Sequence, residues 1–129
     1  MADSTDYKMW LKRADQDMLM AEIVLSQGGK GLEEAICYTC QQAAEKFLKA
    51  FILYNTHEMM RTHDLRFLLG KCIEINSTFS SIEENVKILN EYSVAARYPG
   101  DFVESYTLDD ARQAYEHAIA IKNKIISCI

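Results

Sequence analysis

The chain has little of what turn-rich or secreted proteins need. One Pro and five Gly in 129 residues are too few for the many tight turns of a sandwich or barrel. No apolar run reaches the eighteen or so residues of a membrane span, so no transmembrane helix is expected. Basic residues are outnumbered: 14 Lys and Arg against 19 Asp and Glu give a net charge of −5. That argues against coating nucleic acid by bulk electrostatics and leaves room for a local basic site. The four Cys lack the dense spacing of a disulfide frame and read as reduced thiols. Met1-Ala2-Asp3-Ser4-Thr5-Asp6 is acidic and polar, unlike a signal peptide. The expectation is a soluble, cytoplasmic, single domain over residues 1–129, with no cofactor.

Helical periodicity is what the chain does have. At about 100° per residue, Cys40, Ala43, Ala44, Phe47, Leu48, Ala50 and Phe51 share an arc of about 160°. Gln41, Gln42, Glu45, Lys46 and Lys49 take the remaining arc, which reads as the exposed face. Small residues early in the stretch let a neighbouring backbone approach, and Phe47 and Leu48 each contribute about 2 kcal/mol if fully enclosed. The stretch reads as the core helix of an all-α protein.

The same reading along the chain predicts an up-and-down bundle of about five helices, four long and one short. The first runs from Asp6 to Ser26, with Met9, Trp10, Leu11, Ala14, Met18, Leu19, Ala21, Ile23, Val24 and Leu25 as its apolar set. Gly28 and Gly29 end it, because Gly takes the left-handed C-cap conformation without steric cost. The second spans Leu32 to Asn55, and the short connection before it implies antiparallel packing on the first. A polar, Met-containing loop from Thr56 to His63 follows.

The third helix starts near Asp64 and stops at Asn76-Ser77-Thr78. Ser81-x-x-Glu84 has the capping-box pattern for the start of the fourth, which continues to about Tyr98. Pro99-Gly100 stops it, and a loop runs from Asp101 to Tyr106. Thr107 can cap the last helix, with Asp109 and Asp110 at its positive end.

Three blocks carry a resemblance: Gln41-Gln42-Ala43-Ala44-Glu45-Lys46 continuing into Leu48-Lys49-Ala50, then Arg61-Thr62-His63-Asp64-Leu65, then Ala96-Arg97-Tyr98-Pro99. Present in order and spanning nearly the whole chain, they resemble the HEPN family of small helical proteins. That resemblance implies a helical bundle, homodimers formed through the long helices, and often a small nucleotidyltransferase-type partner in a toxin–antitoxin-like or regulatory pair. It also implies nucleotide or RNA-phosphate binding, and in many members a metal-independent endoribonuclease with an Arg-x4-6-His motif. The positions that should hold that His after Arg97 are Phe102, Val103 and Glu104. A carboxylate there repels phosphate and lacks the near-neutral pKa of imidazole.

Arg97 is the first candidate for phosphate, since a guanidinium binds phosphate bidentately; the bland alternative is a surface ion pair. Arg112-x4-His117 has the formal spacing but lies within a helix, where residues five apart point about 140° away from each other. His57, Glu58, Arg61 and His63 do not match a zinc motif. Arg61-Thr62-His63-Asp64 reads as a helix start, with Asp64 as cap, His63 hydrogen-bonding inside the bundle, and phosphate contact from Arg61 or His63 as the alternative. Cys37-x-x-Cys40 lies inside a helix and reads as buried filler rather than a redox or metal site. Gly28-Gly29-Lys30-Gly31 is too short for a P-loop and follows a helix rather than a strand. Lys46 and Lys49 are either solvated or line an inter-subunit groove with Arg97.

The expected function is non-catalytic binding of nucleotide or RNA phosphate through Arg97, Arg61, His63, Lys46 and Lys49, with no catalytic and no metal residues. The alternatives are an endoribonuclease with a degenerate motif and a purely structural interaction module.

Overall fold

The computed structural model describes residues 6–97 and 106–129, with the backbone alone for 93–97. Among these, the elements are α1 (Tyr7–Ser26), α2 (Glu33–Thr56), α3 (Leu65–Ile75), a 3-10 helix (Ser77–Ile82), α4 (Glu83–Arg97) and α5 (Leu108–Ser127), with no strand. Side-chain pairs set their directions. Tyr7 meets Tyr54 with ring centroids 4.8 Å apart, and Asp17 meets Lys46 at 2.6 Å, so α1 and α2 are antiparallel. Asp15 pairs with Lys122 and Glu22 with Tyr115, which sets α5 antiparallel to α1. Asn85 meets His117 and Tyr92 meets Tyr106, which sets α4 antiparallel to α5. The four long helices therefore alternate up and down, as the sequence predicts.

The short helix departs from that alternation. His57 takes the left-handed conformation at the end of α2, with φ 61°, a region His enters more readily than most residues. The connection 57–64 then runs back along α2 until the His63 carbonyl faces Gln41. Starting from there, α3 runs in the same sense as α2, with Cys72 Sγ against the Leu48 carbonyl.

Three helix starts match the expectation. Asp6 and Asp64 accept from Lys8 N and Arg66 N, and Thr107 forms a capping box with Asp110. The fourth start is a correction. Ser81 does not cap α4, because the 3-10 helix runs directly into it and its carbonyls occupy the donors a cap would serve. Asn76 caps that 3-10 helix instead, and buried Phe79 and Ile82 pin it to the core. The predicted stop at Pro99-Gly100 and the loop from Asp101 lie outside the described residues.

The core centres on α2, which packs against all four other α-helices. Phe47, Leu48 and Phe51 are enclosed, and Phe51 stacks on Phe79 at 4.3 Å between centroids. Buried Ala43 and Ala44 on α2, Ala14 and Ala21 on α1, and Ala111, Ala114 and Ala118 on α5 let these helices approach closely. The apolar set read on α1 is wider than the face the bundle covers. Met9, Leu19 and Ile23 are exposed with Met20, because among the described helices α1 packs on α2 and α5 alone.

The four cysteines are free thiols. Burial above all pushes Cys37, Cys40 and Cys72 from the ordinary 9.0 to about 12, with nearby carboxylates adding to it at Cys37 and Cys40. The unfolded chain loses these protons near pH 9 while the folded one keeps them, so stability should fall as pH rises above about 9. At pH 8 a thiol reagent should modify one cysteine, the half-buried Cys128, and reach all four only after denaturation.

Candidate functional site

Lys49 and Glu45 lie one turn apart on α2, and the structure buries both, Glu45 at 5% exposure and Lys49 at 7%. Lys49 Nζ donates to Glu45 Oε2 at 2.9 Å. His63 Nδ1 lies 3.1 and 3.0 Å from the two Glu45 oxygens. A carboxylate only accepts, so this nitrogen carries the proton and donates. Gln41 Nε2 donates to the His63 carbonyl, while Gln42 Nε2 donates to Gln41 Oε1. The connection 57–64 is thus strapped onto the polar arc of α2.

This corrects the placement of Gln41, Glu45 and Lys49 on an exposed face. The arc is polar, but α1 and the returning connection cover it. No buried side-chain N or O among the described residues lacks a partner, which is the condition for tolerating polar groups there.

Above the strap lies a groove of about 430 Å³ lined by Trp10 and Arg13 of α1, Lys46 and Lys49 of α2, and Arg61 and His63 of the connection, among others. Lys46 is half-buried and paired with Asp17 at 2.6 Å. Lys49 Nζ sits 5.7 Å from the Trp10 ring centroid, a cation–π distance. Arg13, Lys46, Lys49 and Arg61 face two carboxylates, Glu45 and Asp17, on a chain of net charge −5. The groove is a local basic site on an acidic body.

The structure therefore brings together four of the five sequence candidates: Lys46, Lys49, Arg61 and His63. Of Arg97 the backbone alone is described. Asn90 bonds Leu65 N and Asp64 at the level of His63, and α4 runs on from there for about 10 Å to its last residue, Arg97. That is the end of the bundle where α2 begins. The Arg97 side chain and Phe102, Val103 and Glu104 lie outside the described residues. Arg112 is exposed on α5, and His117 is half-buried against Asn85 at 3.0 Å, so that formal motif is helix surface.

The HEPN domain family matches residues 7–128. The chain belongs to the HEPN family. Two solved structures agree across 95% of this HEPN protein. A protein described as ST0689, an archaeal HEPN homologue, is 27% identical over 96% of its own chain, with a TM-score of 0.75. TT1696 from Thermus thermophilus is 26% identical over 98% of its chain, with a TM-score of 0.84. No curated protein matches the chain.

Sequence reasoning missed Trp10, Arg13 and Asp17 as site residues. Their spacing of three and four residues sets them on one face of α1, but Trp10 reads there as core filler until antiparallel packing places that face beside Lys46. Among the described residues no group of three or more His, Cys, Asp or Glu is placed to hold a metal ion.

Removing Glu45 strands a buried ammonium, which costs roughly 3 to 5 kcal/mol. Glu45→Ala should lower stability to urea by that amount. The double replacement Glu45→Leu with Lys49→Met should recover most of it, because it leaves no unpaired charge.

Proposed function

We propose that this HEPN protein binds the phosphate of a nucleotide or of RNA, without catalysis, in the groove of Lys46, Lys49, Arg61 and His63. The observation that carries the reading is the concentration of Arg13, Lys46, Lys49 and Arg61 in one groove of a net acidic protein. Arg61 and Arg13 are exposed residues lining it, and a guanidinium is suited to bidentate phosphate contact. Non-catalysis rests on the sequence, where Phe102, Val103 and Glu104 stand in place of the ribonuclease His.

The protein works in this proposal as a cytoplasmic homodimer. The exposed apolar strip of Leu19, Met20, Ile23 and Leu32 supports a second copy, and it lies at the Arg97 end of the bundle. Arg97 is kept as a second phosphate contact beside that interface. Four free thiols fit a reducing compartment. No described helix is long and apolar enough to cross a membrane. A nucleotidyltransferase-type partner, in a toxin–antitoxin-like or regulatory pair, follows from the family resemblance alone.

Calorimetric titration with ATP, GTP and a short single-stranded RNA tests the binding. Wild type should bind, and Lys46→Ala with Arg61→Ala should weaken binding by about tenfold or more, the worth of charge-assisted contacts. Arg97→Ala run in parallel reports whether the second end contributes. Absence of heat with every ligand sinks the proposal.

A further inference from the structure

The cations account for a phosphate, but the groove also has an apolar lining that a bare phosphate leaves unused. Trp10 from α1 and Met59 and Met60 from the connection line it together with the cations. Trp10 is half-buried, with Lys49 Nζ 5.7 Å from its ring centroid, a cation–π distance. Inorganic phosphate and polyphosphates gain nothing from this surface. A nucleobase does, because every base has a π-face that stacks on an indole whatever its sequence. The polarizable methionine thioethers suit contact with an aromatic ring edge. The volume of about 430 Å³ falls at the small end of the ~300–1,000 Å³ range of small-ligand sites. That suits one nucleoside phosphate rather than an extended tract.

We infer that Trp10 is the base platform of this groove, and that its ligand is a nucleoside phosphate unit, either a free nucleotide or one nucleotide of a single-stranded RNA. The inference rests on the phosphate reading above. It makes Trp10 the residue that separates nucleotides from other phosphate compounds, while the cations supply affinity common to both.

Trp10 is the chain's one tryptophan, so intrinsic fluorescence reports this ring alone. The full chain is titrated with ATP, tripolyphosphate and a short single-stranded RNA, with affinities from calorimetry and quenching from fluorescence. ATP should quench Trp10 and bind about tenfold more tightly than tripolyphosphate. Trp10→Leu should bring ATP to the affinity of tripolyphosphate without changing the latter, and Trp10→Phe, which keeps an aromatic face, should retain most of the discrimination. Quenching by RNA but not by ATP, or the reverse, supports the platform and identifies the source of the nucleotide. Equal affinity for ATP and tripolyphosphate without quenching overturns the platform and leaves the phosphate site standing. No binding of either overturns both. Loss of tripolyphosphate binding in Trp10→Leu together with a lowered melting temperature makes Trp10 a packing residue and overturns the platform as well.

Discussion

A carboxylate removed from water needs partners, and Glu45 has two. Lys49 neutralises it from one turn further along α2, and His63 donates to it from a different part of the chain. The first contact is local to the helix; the second is tertiary. Without both, burying these charges costs several kcal/mol per ion. With both, the polar arc of the central helix becomes a seat for the connection 57–64.

Much of the fold's departure from a plain four-helix bundle follows from that seat. The connection must travel back along α2 to bring His63 to Glu45, so α3 begins beside the middle of α2 and runs in its sense. Asp64 caps α3 and also receives Asn90 from α4, while the same Asn90 accepts from Leu65 N. One polar node thus joins α2, the connection, α3 and α4. The groove is a by-product of the same geometry: Arg61 is carried to Lys46 because His63, two residues on, is anchored.

HEPN membership and the bundle rest on agreement over nearly the whole chain. Function rests on fewer groups. The bundle has two distinct ends in this respect. One half of α2 carries the basic groove beneath Trp10, and the end where α2 begins carries the exposed strip of α1 and the close of α4 at Arg97. A ligand at one and a second subunit at the other would not compete for surface.

Helix positions, the caps Asp64 and Thr107 and the buried filler role of Cys37 and Cys40 were legible in the sequence, because period, cap chemistry and side-chain volume are local properties. The polar arc of α2 was legible as polar and misread as exposed. A helical wheel shows which residues share a face but not what lies over it. Whether Glu45 meets water or His63 depends on a chain reversal at His57 and a return path of several residues, neither of which has a periodic signature. The same limit hid Trp10 and Arg13, whose chemistry is plain but whose neighbours come from another helix. The sequence by itself determined the family, the helices and the candidate side chains; tertiary packing alone decided that Lys46, Lys49, Arg61 and His63 converge on one groove, because convergence depends on contacts between residues far apart in the chain.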